Sequence, residues 1–193
     1  GPITGRLRLR RSECAATRFW GKAGLVMRGR ANAGAAHEGV RFGAWLRVVA
    51  EGGQVTRRGG WQDPHLQLEG VSAFTVVLAA GTDFRGAMDT SHAQRVQKAV
   101  QAGLESLRSA HRAEHRRLYR RVELRLGKSG RTERLTDELL RATRSDAAAA
   151  AVLTPLYFHY GRYLLMSCSR PGTMPSNLQG LWCQHYDAPW NAD

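Results

Sequence analysis

The chain has 193 residues, room for one ordinary domain or for one domain and part of a second. Hydrophobic residues make up 42% and aromatics recur along the whole length, which excludes a disordered tail and predicts a packed globular body. A formal charge of +13 points at first to an anionic partner, yet only Lys22, Lys98 and Lys128 are lysines, and the arginines are scattered from Arg6 to Arg170.

An Arg excess beside many Ala and Gly is what a GC-rich coding sequence produces without selection for binding. The densest cluster, Arg112, Arg116, Arg117, Arg120 and Arg121, reads as a solvated helix face. No RNP-like aromatic pattern or helix-turn-helix accompanies it, so no nucleic-acid partner is expected. No apolar run approaches the roughly 20 residues a membrane helix requires, and no membrane partner is expected. Residues 1–11 alternate Leu with Arg and lack the apolar stretch of a signal peptide, which leaves the compartment open. Cys14, Cys168 and Cys183 are odd in number and form no CxxC pair, so neither a disulfide framework nor a zinc site is expected, and nothing calls for a cofactor.

In chain order, Leu7 to Phe84 is β in character. Strands are predicted over Leu7–Leu9, Gly24–Arg28, Val40–Val49, Gln54–Trp61, His65–Leu68 and Ala73–Ala79. The clearest alternation puts Phe42, Ala44, Leu46 and Val48 on one face and Arg41, Trp45 and Arg47 on the other. Gly52-Gly53 then supplies the positive-φ residues of a tight hairpin turn. Short strands at regular spacing predict an antiparallel β-sandwich, incomplete at its N-terminal edge.

The period changes at Asp89-Thr90-Ser91, a predicted helix N-cap. Val96, Val100, Leu104, Leu107, His111, His115 and Leu118 recur at helical spacing and predict one or two helices to about Arg120. Val122, Leu124 and Leu126 return to period two, a short strand ended by Gly127. A last helix is predicted over Ala147–Met166, with Leu153, Leu156, Tyr157, Tyr160 and Leu164 on one stripe spaced like a buried face. Pro155 argues for a start nearer Thr154. The fold class is therefore α+β. Beyond Ser169 the chain is irregular yet carries Trp182, Tyr186 and Trp190, so that loop either is buried in a larger body or lines a pocket.

His111, Glu114 and His115 match an H-x-x-E-H zinc pattern, but both histidines continue the apolar stripe of their helix, and packing accounts for them. No metal is expected there. Asp187 and Asp193, six residues apart in an irregular segment, make no recognisable carboxylate pair.

Two stretches carry a resemblance. His159 to Thr173, HYGRYLLMSCSRPGT, continues through Met174-Pro175-Ser176-Asn177-Leu178-Gln179-Gly180-Leu181-Trp182. This is similar to the YGRYLL helix, SRPGT turn and P-x-NLQG-x-W loop of glycoside hydrolase family 95, the bacterial-type α-L-fucosidases. Pro189-Trp190 and Asp193 extend the likeness. The second stretch, His115 to Asp137, resembles the family's H…Y-x-R-V-x-L-x-L-G…L-x-TD segment, here Tyr119, Arg121-Val122, Leu124, Leu126-Gly127, Leu135 and Thr136-Asp137. A run of this length is far more specific than a short motif. Upstream, Gly39-Val40-Arg41-Phe42 and Thr82-Asp83-Phe84 fit in outline, so the resemblance spans most of the chain.

The resemblance implies a β-sandwich over 1–88, a helical linker over 89–146 and, over 147–193, the first helix and loop of a truncated (α/α)6 catalytic barrel. It implies hydrolysis of terminal α-L-fucose, typically α1,2-linked, with inversion at the anomeric carbon. Inversion needs a general acid and a base-activated water on opposite faces, with carboxyl groups roughly 6.5–9.5 Å apart. In the family the acid is a Glu, and Asn side chains assisted by an Asp hold the water. All of these lie beyond Asp193, so no catalytic residue maps onto this chain.

What the chain contributes to a site is the loop. Asn177 and Gln179 have amides for sugar hydroxyls, and Trp182 and Trp190 have flat faces for sugar C–H groups. Alternatively the amides pin the loop's own backbone and the tryptophans fill the interior. Arg170 is expected to brace the loop, on helix C-terminal carbonyls or on a carboxylate. The expected partners are a fucosylated glycan and the downstream portion of the same polypeptide. The competing readings are a non-catalytic carbohydrate-binding fragment and, further off, a basic nucleic-acid-binding protein.

Overall fold

A computed structural model describes residues 1–11, 14–31, 39–86, 91–127 and 133–183. The chain forms two compact units, Gly1–Ser109 and Ala110–Asp193.

The first unit holds seven strands: β1 (Ile3–Leu7), β2 (Ala15–Phe19), β3 (Gly24–Arg30), β4 (Arg41–Glu51), β5 (Gln54–Arg58), β6 (His65–Val71) and β7 (Ala73–Thr82). They make two antiparallel sheets, a three-stranded one in the order β1-β6-β5 and a four-stranded one in the order β2-β3-β4-β7. The sheets share a core in which Leu25, Leu46 and Val48 meet Leu66, flanked by Leu7, Leu9, Phe19 and Val55.

Gly52-Gly53 does not turn a hairpin, as the sequence had led us to expect. β4 and β5 are consecutive but lie in different sheets, and each pairs with its own half of β6–β7. Residues 41–58 and 65–82 are thus one long antiparallel pair folded in half. Glu51 lies opposite Ala73, whereas Gln54 lies opposite Glu69, a register slip of one residue across the fold. Strands that switch sheets need a sharp bend at the corner. Gly52 and Gly53 supply it with φ of 64° and 60°, and a Cβ on Gly53 would strike the carbonyl of Glu69 and the backbone of Gly70. Ser72, on the opposite limb, donates from its N–H (2.8 Å) and its hydroxyl (2.7 Å) to the Glu51 carbonyl.

The other face of the four-stranded sheet is covered by α1 (His92–Ala102). Trp45 points that way, is 4% exposed and stacks on His92 with ring centroids 5.2 Å apart. β4 is consequently buried on both faces, which explains its nearly unbroken apolar run from Ala44 to Val48 apart from Arg47. Ser91 sits at the N-cap with helical φ; its side chain makes no capping bond, its carbonyl accepts from the Arg95 N–H (2.8 Å), and the rest of the expected cap, Asp89-Thr90, lies outside the described residues. The helical stripe beyond α1 is broken at Gly103, φ 78°, so α2 (Leu104–Tyr119) is a separate helix.

The second unit comprises the C-terminal part of α2, then α3 (Thr136–Ala142), α4 (Ala147–Cys168) and a 3-10 turn at Gly180–Trp182. α4 starts at Ala147, not near Thr154. Asp146 caps it, accepting from the N–H groups of Ala148 (2.9 Å) and Ala149 (3.2 Å), and Pro155 lies inside the helix. Residues 122–126 form no strand. Side chains of α4 bind the segment instead: the Leu124 N–H donates to His159 Nε2 (3.3 Å), and Arg162 donates to the carbonyls of Val122 (2.8 Å) and of Tyr119 at the end of α2 (3.1 Å). The stripe expected to be buried on α4 is open among the described residues, with Leu156, Tyr157 and Tyr160 exposed.

Candidate functional site

The candidate site is the segment that follows α4, and its framework is a set of directional contacts. Arg170-Pro171-Gly172-Thr173 is a β-turn with Pro at the second position and Gly at the third, where φ is 84°. That combination is the signature of a type II turn, whose third residue needs positive φ. The Thr173 N–H donates to the Arg170 carbonyl (2.9 Å), and the Thr173 hydroxyl both donates to that carbonyl (2.8 Å) and accepts from the Arg170 N–H (2.9 Å).

The turn is tied back to the end of α4. The Ser176 N–H donates to Ser169 Oγ (2.9 Å), and the buried Cys168 thiol donates to Ser176 Oγ (3.0 Å). Arg170 reaches further, forming a two-pronged ion pair with Glu114 of α2, one bond at 3.1 Å between Nη2 and Oε2 and a shorter one between Nη1 and Oε1. The Arg170 guanidinium holds the Glu114 carboxyl below its usual pKa. Of the two braces foreseen for Arg170, a carboxylate is the one present.

That pairing also engages the Glu of the H-x-x-E-H pattern. Glu114 is committed to Arg170, while His111 and His115 stack at 6.0 Å and continue into a ladder of rings. His115 stacks on Tyr119 (5.1 Å) and meets Tyr163 edge-on (6.1 Å), and Tyr119 lies 5.5 Å from His159. The Arg162 guanidinium covers Tyr119 at 5.3 Å. His115 and His159 thus make ring contacts between α2 and α4, whereas His111 is exposed and stacks on His115 of its own helix. Among the described residues no cluster of three or more His, Cys, Asp or Glu could hold a metal ion.

Beyond this framework the segment opens outward. Asn177 and Gln179 are exposed, and Trp182 is 51% exposed at the end of the 3-10 turn, its N–H donating to the Gln179 carbonyl (3.2 Å). Leu178 and Leu181 are exposed beside them. Trp190, Asp187 and Asp193 lie outside the described residues. The structure thus brings Asn177, Gln179 and Trp182 onto one short stretch without enclosing them. Sequence reasoning missed the partners that fix this stretch, Glu114 above all, which stands 56 positions before Arg170 and gives no local signal of that role.

Residues 103–193 match the glycosyl hydrolase family 95 catalytic domain. Alpha-L-fucosidase 2 of Arabidopsis thaliana is 32% identical over 171 residues, which is 80% of this chain and 20% of that protein. Probable alpha-fucosidase A of Aspergillus niger is 31% identical over 140 residues, 65% of this chain and 17% of its own length. The corresponding protein of Aspergillus oryzae is 29% identical over 138 residues. The chain spans about a fifth of the length of these curated relatives. The family match begins one residue before α2 and takes in the capped helix, the Arg170 turn and the exposed loop, and the likeness to the plant protein extends over most of the chain; from Gly103 onward the chain is similar to the catalytic domain of glycosyl hydrolase family 95.

Proposed function

We propose that this chain is part of an enzyme that removes terminal α-L-fucose, α1,2-linked, from glycans by an inverting mechanism. The reading is supported by the fucosidase names of the relatives and by the family match over the helical unit. On it, α4 is the first helix of an (α/α)6 barrel, preceded by a β-sandwich ending near residue 88 and a linker ending near residue 146. The observation that carries the proposal is the Arg170–Thr173 turn, locked to both α2 and α4, which presents the exposed stretch 177–182 as a preformed edge. Gln179 and Asn177 offer amides to sugar hydroxyls, and Trp182, with Trp190, offers an apolar face to the ring. The acid and the water-holding groups come from downstream sequence, so the residues here bind and orient.

The test is hydrolysis of 2′-fucosyllactose by the polypeptide carrying this chain, with the first released anomer read by proton NMR. Inversion gives β-L-fucose first. Release of the α-anomer first overturns the mechanism, and no release of fucose overturns the activity. Trp182→Ala should lower kcat/KM by about tenfold or more if the ring contacts sugar.

A further inference from the structure

The β unit contains a recess that the hydrolytic reading does not use. It has a volume of about 390 Å³ and is lined by Trp20, Arg47, Val96, Gln97, Val100 and Gln101. Its size falls within the range of small-molecule sites. The alternation of β4 places Arg47 on the same side as Trp45, toward α1, and pairs it with Gly24 of β3. The guanidinium lies against Gly21 in the turn between β2 and β3, where Nη1 would be 2.9 Å from any Cβ at that position.

Arg47 is half-buried, and its side chain makes no hydrogen bond or ion pair among the described residues. Its guanidinium carries five donors and no acceptor and, open to water at the recess, can take an anion in a charge-assisted, two-pronged contact. Gln97 and Gln101 stand one helical turn apart on α1, so their amides share a face, and neither is engaged among the described residues. Val100 gives the recess an apolar floor over the buried Val96, and Trp20 adds an aromatic wall. A bare phosphate would use the arginine alone. The apolar wall and the amide pair ask for a ligand with a C–H face, several hydroxyls and one negative charge.

We propose that this recess binds a carboxylate-bearing sugar unit of the uronic-acid class. Arg47 takes the carboxylate, Gln97 and Gln101 take ring hydroxyls, and Trp20 packs on the C–H face. The inference rests on these side chains and not on fucoside hydrolysis, so either can fail without the other.

The experiment is a calorimetric titration of the protein with glucuronate, glucose and acetate at matched ionic strength, with the Trp20 indole N–H followed by NMR. Glucuronate should bind about tenfold or more tighter than either reference, with a shift at Trp20. Arg47→Gln should bring glucuronate down to the level of glucose. Gln101→Ala, on the exposed side of α1 and harmless to the fold, should weaken glucuronate severalfold. Equal binding of glucuronate and glucose, acetate as tight as glucuronate, or no binding of glucuronate below about 50 mM overturns the proposal.

Discussion

The two units bury their apolar residues in different ways. In the β unit Leu25, Leu66, Val71 and Val96 are fully buried, and the four-stranded sheet is covered by the second sheet on one face and α1 on the other. In the helical unit the buried apolar side chains among the described residues are Leu139, Ala149, Pro155 and Cys168. There α4 leaves Leu156, Tyr157, Phe158, Tyr160, Tyr163 and Leu165 exposed, and a groove of about 300 Å³ runs along Thr136, Leu153, Leu156, Tyr157 and Tyr160. A helix apolar on every side belongs inside a larger body. What holds the helical unit together is directional instead: the Arg170–Glu114 pair, Arg162 on the carbonyls of Tyr119 and Val122, and the ring ladder. The β unit is stabilised by area removed from water, and the helical unit by contacts that fix geometry.

The same substitution made in both units tests that contrast. Leu66→Ala empties a fully buried site and should cost about 2–5 kcal/mol. Leu156→Ala, at a residue 46% exposed, should cost less than about 1 kcal/mol in the isolated chain. Hydrogen exchange is the right measurement, because it reads each unit separately where a single unfolding transition cannot be assumed. In the polypeptide that includes the downstream sequence, Leu156→Ala should become as costly as Leu66→Ala if the remainder of the catalytic domain covers α4. Equal costs in the isolated chain would break the contrast, since they would mean that the α4 face is already covered.

A smaller effect separates corner from turn within the β unit. Gly53→Ala puts a side chain at φ 60° and into the backbone of Gly70, and should cost roughly 1–2 kcal/mol from the conformation alone, with more from the clash. Gly60→Ala meets nothing within 4 Å and should change stability by no more than about 1 kcal/mol. Exchange of the β5–β6 amides should report the first and not the second. If both substitutions are neutral, the corner is not a point of constraint.

These positions also show what the sequence could reveal. Alternation and turn residues located β3 to β7 because strand period and glycine preference are local properties. Partner choice is not local: Gly52-Gly53 has the same signature in a hairpin and in a sheet-switching corner, and only the distant β6–β7 limb decides between them. β2 escaped notice because Ala15-Ala16-Thr17-Arg18-Phe19 has little apolar alternation, and its pairing with β3 makes it a strand. The N-terminal strand lies at Ile3–Leu7 instead of Leu7–Leu9, since β6 sets its register. Residues 122–126 have strand period but no partner strand among the described residues; His159 takes the Leu124 N–H and Arg162 the Val122 carbonyl. In α4 the Asp146 cap outweighed the proline, whose missing N–H removes one bond within a helix of 22 residues. The loop was conspicuous for its amides and tryptophans. Its brace on Glu114 was invisible because ion pairs between distant helices leave no periodic trace.

The smallest expected effect tests the directional side of the contrast. Glu114 has a lowered pKa, chiefly because it accepts from Arg170. A carboxylate whose pKa is depressed on folding contributes stability that is present above its unfolded value, near about 4.3, and is lost as the pH falls through the folded value. The Arg170–Ser176 turn should therefore loosen at acid pH, below the range in which an unpaired glutamate titrates. Asp146 is shifted in the same direction, mainly by the Ala149 N–H, so acid also loosens the start of α4 and the raw pH profile is a composite. Glu114→Gln isolates the pair. It keeps the side chain's size and removes the charge, so the amides of Thr173 and Ser176 should be less protected than in the wild type at neutral pH and equally protected once Glu114 is protonated. The Ala150 amide, which donates to the Asp146 carbonyl at the start of α4, should follow the same pH profile in both proteins. Were Thr173 and Ser176 to keep full protection in Glu114→Gln at neutral pH, the turn would be held by its own hydrogen bonds, and the link to α2 would not be what positions the loop.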